Sequence, residues 1–417
     1  MINLKELIKN KRRIIKKNNK RENEINIFLL INIIEKQKKL KLFRDNILHT
    51  NKIENKKFFL NNNIEIKKNY LKKYNNKIKH IKNKINKSEK NISEKLLFIP
   101  NIISNKVPIG KDKTKNIVIR KIGKRKKFKF KIKNHIELAK ITNTIDYKTA
   151  AEISGKGFLF YKEEGCALNR ALINFITEYH KKKGDVEISC PYLVKNSSMI
   201  GTGQLPKFKE DVFITFLEEE KKNLFLIPTA EVPITNYFKN KIIKKLPIRI
   251  FSYSPCFRKE AGAHGKKDKG IIRLHQFEKI ELVRLIKRKK AKKELFLIIK
   301  RTSEILKKLK IPHRIVLLCS GDLGFSSKLT YDIEAWFPGE KKYKEISSCS
   351  NFGTFQSRRI NIKYKGKKKN KLVTTLNGSS LPLGRTIAAI YENSQLRNGN
   401  IKIPKILLNY VEKKKNN

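Results

Sequence analysis

Residues 255–283 read PCFRKEAGAHGKKDKGIIRLHQFEKIELV, two short strands joined by a polar, Gly- and Lys-rich loop. In an antiparallel pair, residues at i, i+2 and i+4 line one face. That period puts Arg258 and Glu260 together near the end of the first strand. On the returning strand it puts Arg273, Phe277 and Glu281 together, counting through 275 and 279. Guanidiniums, an aromatic plane and carboxylates on one sheet face suit a nucleotide. The cations clamp phosphates, the ring stacks on a base and the acids meet its amine. A solvated surface hairpin with Phe277 in the core presents the same string, so this stretch alone does not decide the function.

Two further stretches add to it. TLNGSSLPLGRTIAAIYENSQ (375–395) joins a turn at Asn377, Gly378 and Ser379 to an amphipathic helix bearing Arg385. PTAEVPI (228–234) and YKEISSCSNFGTFQSRR (343–359) set short polar groups inside apolar strands. Thr229 and Glu231 alternate onto one face there, and Glu345 lies close to Ser348. Several carboxylates on one sheet suit an ammonium or a metal ion. No glycine-rich loop of the Rossmann or Walker type follows a first strand, so phosphates must be held some other way.

Outward from these motifs the chain falls into two parts. Residues 1 to about 110 are rich in Lys, Asn, Ile and Glu, with almost no Gly or Pro before Pro100. Apolar positions recur there at coiled-coil spacing: Leu29, Ile33, Leu40, Phe43 and Ile47 in one stripe, broken by Lys36. A second stripe runs through Ile64, Leu71, Tyr74, Ile78, Ile81, Ile85 and Ile92, and Asn61, Asn62 and Asn63 read as the turn between them. Two long helices folded back as an antiparallel hairpin follow from this pattern. After a Pro-containing linker, residues 111–417 alternate helical and strand-like runs. ALNRALINFITEYHKKKG reads as an amphipathic helix capped at Gly184, and VEISCPYLV as a strand leading to Pro191.

Composition sets the bounds. The chain has 417 residues, enough for two domains, and 39% hydrophobic residues, enough for a packed core. No apolar run reaches the ~18–20 residues a membrane span needs. Nor does the N-terminus resemble a secretory signal, and Glu6, Glu22 and Glu24 argue against an organelle transit peptide. Five scattered cysteines without a CxxC pair fit a reducing cytoplasm rather than disulfides or a zinc cage. The net charge of +61 favours a polyanionic partner, but an AT-rich genome would inflate lysine, asparagine and isoleucine equally well, so charge alone decides little.

These strings resemble motifs 2 and 3 of the class II aminoacyl-tRNA synthetases, in the seryl version of the ordinary bacterial type. TAE, CFRKEAG with RLHQFEKIEL, EISSCSNF and NGSSLPLGRT occur in order and spacing, with IPNI…VPIG, HIELAK, IDYKTAAEISGKGFLF and GTGQLPKFKED around them. The likeness runs from about residue 95 to about 410. The helix and strand ending at Pro191 resemble motif 1, which in that family forms a homodimer interface. The resemblance implies an α+β fold: an antiparallel sheet flanked by helices, preceded by an antiparallel coiled-coil arm (1–110) that reaches for tRNA-Ser.

It also implies an activity, with ATP as substrate and Mg²⁺ as cofactor, in which L-serine becomes seryl-adenylate and is passed to tRNA-Ser; tRNA-Sec is a second acceptor it leaves open. The serine site would comprise Thr229, Ala230, Glu231, Glu281, Asn377 and Ser379. Arg258, Arg273 and Arg385 would be the catalytic cations. ATP would also meet Lys259, Glu260, Leu274, Phe277, Glu345, Ile346, Ser347 and Ser348, with Glu345 and Ser348 on Mg²⁺.

The chain departs from the family pattern at Ser380 and Pro382, where glycine and alanine are common, and at Asp185 and Cys190, where an aromatic and a proline are usual. His264, Lys266 and Lys267 depart in the motif 2 loop. Rival readings are an aminoacyl ligase acting on a carrier protein, which would lack the long arm, and a non-catalytic basic RNA-binding protein, which would need none of Arg258, Glu281, Glu345 and Arg385. A zinc-dependent seryl variant would need a cysteine-containing site, which the TAE region does not offer.

Overall fold

The computed structural model describes residues 1–2, 4–21, 27–58, 64–219, 221–260, 270–366 and 368–411. The chain divides into two compact units. One holds Ile2–Lys16 and Asn23–Ile99, and the other holds Met1, Lys17–Glu22 and Pro100–Asn417.

The first unit is dominated by two helices, α1 (Ile27–Phe58) and α2 (Ile64–Leu97). They run antiparallel: Lys41 on α1 meets Glu89 on α2 at 2.7 Å, while Glu54, further along α1, accepts from Tyr70, earlier on α2. The α2 stripe emerges as expected, with Ile78, Ile81, Ile85 and Ile92 buried at steps of three, four and seven. The α1 stripe does not. Leu29 and Phe43 are 52% and 49% exposed, and the buried face is Ile27, Leu30, Ile31, Ile34 and Gln37. The segment IFLLINII is apolar on every side, so periodicity could not choose its face, and the seam then continues through a glutamine. The expected turn at Asn61–Asn63 lies outside the described residues, as does the side chain of Ile64.

The second unit is built on an eight-stranded sheet. Its strands are β1 (Ile117–Ile122), β2 (Val186–Glu187), β3 (Ile248–Phe257), β4 (Gln276–Ile286), β5 (His313–Leu317), β6 (Leu329–Phe337), β7 (Lys342–Gly353) and β8 (Thr374–Pro382). Their order is β1-β5-β6-β7-β8-β4-β3-β2. Every pairing is antiparallel except β2 on β3. Helices α3 (Glu163–Lys182), α5 (Ala291–Lys308) and α6 (Leu383–Ser394) contribute to the core around it, and a short α4 (Glu231–Asn236) stands beside β4. This is the α+β arrangement expected, an antiparallel sheet flanked by helices. On α3, Leu168, Ala171, Leu172, Phe175, Ile176 and Tyr179 form the buried face, and Gly184 beyond its end takes the left-handed backbone at φ +76°.

Local readings needed correction where polar or small residues sit inside regular structure. VEISCPYLV is two strands: Val186–Glu187 joins the large sheet, and Leu193–Lys195 joins a separate three-stranded sheet with Ile214–Leu217 and Lys222–Leu226. The chain changes sheets around Pro191, which has no N–H for a ladder. Asn377, Gly378 and Ser379 form no turn; they are the middle of β8. Gly378 is required there by packing, because a Cβ would stand 2.4 Å from Ile298 Cγ2 on α5. Thr229 and Glu231 do not share a strand either, since the strand before them ends at Leu226 and Glu231 opens α4. Pro228 favours that break, and Pro233 fits the first turn of a helix, where a missing N–H costs nothing.

Gly378→Ala should therefore cost about 1–3 kcal/mol through overpacking against α5. Denaturant unfolding would show it as a lower midpoint, and an unchanged midpoint would mean that Ile298 yields without strain.

Candidate active site

Alternation along β4 and β8 builds the floor of the site. Phe277, Lys279 and Glu281 share one face of β4, and Asn377 and Ser379 share the same face of β8, with Glu281 directly opposite Ser379. Above them opens a cavity of about 370 Å³. Its wall includes Thr229, Glu231, Arg258, Glu260, Arg273, Leu274, Phe277, Glu345, Ser348, Asn377, Ser379 and Arg385. Segments more than 150 residues apart in the chain are thus brought to one chamber, as the sequence motifs required.

One end of the cavity is a carboxylate nest. Asn377 Nδ2 donates to both Glu231 Oε2 (2.8 Å) and Glu281 Oε1 (2.9 Å). Ser379 Oγ donates to Glu281 Oε2 at 3.1 Å, and Lys279 Nζ forms a buried ion pair with the same carboxylate. Gln356 reaches in to donate to Glu231 and accepts from Thr375 at 2.7 Å. Two acids and one lysine leave this end with one negative charge in excess, which suits an ammonium ion. Burial, then the neighbouring Glu281, push the Glu231 carboxyl up to about 7, against the Gln356 hydrogen bond, Lys279 and the Asn377 hydrogen bond.

The other end is cationic, and its cations are held by acids or carbonyls. Strand β3 stops at Phe257, so Arg258 and Glu260 lie just beyond it. Arg258 Nε donates to Pro228 O, and its guanidinium lies 5.1 Å from the Phe277 ring centroid. Arg273 precedes β4 and meets Glu260 at 2.9 Å. Glu260 has φ +51°, a backbone that non-glycine residues seldom adopt. Arg385, on the first turn of α6, donates to Glu345 O (2.9 Å) and Ile272 O (3.1 Å), with its guanidinium 3.4 Å from Glu345 Oε2.

Glu345 and Ser348 sit on β7 opposite β6, where Asp332 pairs in register with Ser348. Burial, then Glu345, push the Asp332 carboxyl well up, and its Oδ1 has no hydrogen-bond partner. These are hard oxygen donors with excess negative charge, so they fit Mg²⁺.

Some expected residues do not reach the cavity wall. Glu281 is fully buried beneath it and acts through Asn377, Ser379 and Lys279. Ala230 and Ile346 are buried, the latter in the core. Ser347 Oγ donates to Ser379 O at 2.5 Å, and Lys259 turns toward the Phe213 ring. His264, Lys266 and Lys267 lie outside the described residues.

Sequence reasoning missed Lys279, Asp332 and Gln356. Lys279 carried a signal, since the period that selected Phe277 and Glu281 passes through it. Asp332 alternates on β6 but looks like any strand acid, and Gln356 has no local signal, sitting 125 residues from the Glu231 it contacts.

A carboxyl whose pKa is raised on folding binds more protons folded than unfolded. Glu231 therefore weakens the fold progressively as pH rises from its ordinary 4.5 to about 7. Glu231→Gln mimics the protonated carboxyl. Its melting temperature should match the parent's near pH 5 and exceed it at pH 8. Equal melting at pH 8 would show that no such strain is stored.

Residues 211–394 match the tRNA synthetase class II core domain (G, H, P, S and T). The chain is 48% identical over 320 residues to a serine--tRNA ligase of Thermodesulfovibrio yellowstonii, covering 76% of this chain and 74% of that one. It is 50% identical over 320 residues to the Caldicellulosiruptor saccharolyticus serine--tRNA ligase, covering 76% and 75%. The structure resembles that of seryl-tRNA synthetase from Pyrococcus horikoshii complexed with ATP, with a TM-score of 0.88 at 32% identity over 99% of this chain and 98% of that one. Sheet order, the position of the cavity between β4, β7 and β8, and these likenesses agree: the chain belongs to the seryl-tRNA synthetase family of class II aminoacyl-tRNA synthetases.

Proposed function

We propose that this chain performs the family's reaction, ATP-dependent activation of L-serine followed by its transfer to tRNA-Ser, in the cavity above β4 and β8. The observation that carries the assignment of substrate is the nest of Glu231, Glu281 and Asn377 beside Ser379, an anionic end to the cavity. Serine's ammonium lies against Thr229 and Glu231, and its hydroxyl meets Asn377 and Ser379, the groups through which Glu281 acts from beneath the cavity wall. Alanine would bring no hydroxyl to these groups and would be rejected for want of that hydrogen bond.

ATP occupies the cationic end. Phe277 stacks on the adenine, Glu260 meets its edge beside the Leu274 backbone, and Arg385 covers the other face. Arg258 clamps the α-phosphate while Arg273 and Arg385 meet the outer phosphates, which draws those arginines from their carboxylate partners. Glu345 and Ser348 would hold Mg²⁺, which supplies charge neutralisation at the phosphates when bound. The serine carboxylate attacks the α-phosphorus, the bond to pyrophosphate breaks, and seryl-adenylate forms. A terminal ribose hydroxyl of the tRNA then attacks the acyl carbon and AMP leaves. No side chain acts as nucleophile. Rate comes from alignment and from fixed positive charge where negative charge is displaced.

Two further assignments complete the reading. The lysine-rich α2, with Lys79, Lys82 and Lys84 exposed, supports a role for the helical hairpin in gripping tRNA phosphates. The stretch after α3, with Val186, Tyr192 and Leu193 at 60%, 41% and 44% exposure, supports dimerisation through motif 1. Five cysteines without a disulfide, and a reaction that would draw on ATP and tRNA, support a cytoplasmic setting.

Serine-dependent exchange of pyrophosphate into ATP tests the first step. Arg258→Ala should reduce it by roughly 100-fold or more, the scale of losing a charge-stabilising donor. Persistence of full exchange in that variant would refute the phosphate assignment. Combined Lys79→Glu, Lys82→Glu and Lys84→Glu should leave exchange intact and depress tRNA-Ser charging, with a shallower salt dependence. Exchange without any tRNA charging in the parent would instead favour a carrier-protein ligase.

A further inference from the structure

Behind the serine pocket, on the opposite face of β8, lies a polar chain that the reaction does not use. Ser380 Oγ is 2.5 Å from His180 Nε2, and His180 Nδ1 is 3.0 Å from Asp185 Oδ2. That same oxygen accepts from Arg284 Nη2 (2.8 Å) and Arg301 Nη1 (2.5 Å). Arg284 also donates to Ile250 O and Val283 O, and Arg301 to Lys183 O. Ser380, His180 and Arg284 are fully buried, and Asp185 and Arg301 are 4% and 6% exposed.

The order Ser–His–Asp is that of a hydrolytic triad, but no substrate can reach a hydroxyl with zero exposure, and Asp185 is occupied by two guanidiniums. The arrangement therefore holds something in place. Burial, opposed by Asp185, lowers the His180 pKa and keeps the ring neutral. Nδ1–H then donates to Asp185, and Nε2 accepts from the Ser380 hydroxyl.

What Ser380 holds is a bulge. Glu281 pairs with Ser379 and Lys279 with Pro382, so one extra residue of β8 is accommodated beside Ile280. Next to Ser380, Leu381 adopts φ +76°, a left-handed backbone that an L side chain rarely takes. A regularised ladder would relieve that backbone. A one-residue slip would also turn Ser379 and Asn377 off the pocket face.

We propose that His180 and Ser380 are positioning residues of the serine site: the buried chain Ser380–His180–Asp185, anchored by Arg284 and Arg301, pins the bulge that sets Ser379 against Glu281. The inference rests on the assignment of that pocket to serine. It ties the end of α3 to motif 3, so a helix that never touches substrate governs how well serine is held.

The test uses the full chain and serine-dependent pyrophosphate exchange, with melting temperatures read in parallel. Ser380→Ala removes one buried atom, and should raise the KM for serine about tenfold, the equilibrium worth of one of the stronger lost hydrogen bonds, with the KM for ATP unchanged. His180→Gln keeps an amide near the Nε2 position and should hold serine nearly as the parent does. His180→Asn keeps only the Asp185 contact and should behave like Ser380→Ala. Both histidine variants lose the ring, so a merely structural role would make them alike, and equal serine KM values in the two would overturn the proposal. Glu281→Gln serves as the control. A raised serine KM in the control, with a parental KM in Ser380→Ala and His180→Asn, sinks the positioning role alone. A parental serine KM in Glu281→Gln overturns the pocket assignment itself.

Discussion

The register between β4 and β8 is the constraint on which the rest of this molecule depends. Side chains on a strand alternate, so setting Glu281 opposite Ser379 decides at once which groups look into the cavity and which look away. Into the cavity go Phe277, Lys279, Asn377 and Ser379. Away from it go Gly378, which lets α5 lie close, and Ser380, which meets the end of α3. One pairing therefore serves substrate recognition on one face and packing on the other, and neither face can be altered without reading through to its opposite.

The electrostatic design follows from that geometry. Acids cluster at one end of the cavity and arginines at the other, and each charge is given a temporary partner within the protein. Arg273 leans on Glu260 and Arg385 on Glu345 at distances of 2.9 and 3.4 Å. These pairs are partly exposed and individually weak, so a triphosphate can displace them. The Asp185 cluster is of a different kind. Its charges are out of water and mutually paired, and taking one partner from such a group leaves a buried charge uncompensated.

How much of this was readable in the chain depends on how local the controlling physics is. The β3–β4 hairpin was legible because period-two alternation is written within a dozen residues, and the α2 seam was legible for the same reason at period three and four. The middle of β8 was misread as a turn because Asn, Gly and Ser are the residues of turns; only the contact with Ile298, 80 residues away, explains the glycine. The α1 face was misjudged because its first turns are apolar all round. Asp185 and Ser380 stood out only as departures from a family pattern. The imidazole that joins them sits on the motif 1 helix, where nothing in the sequence around His180 announces a partner 200 positions on.

The carboxyl of Glu231 carries a consequence for the thermodynamics of substrate capture. With a pKa of about 7, it is shared between protonated and ionised forms at physiological pH. On the proposed assignment of Glu231 to serine's ammonium, binding selects the ionised form and each event expels a fraction of a proton into the medium. The measured heat of serine binding then includes the heat of protonating whichever buffer is present. Two calorimetric titrations in buffers of unlike ionisation enthalpy count that fraction directly, which makes a buried acid visible from the solvent.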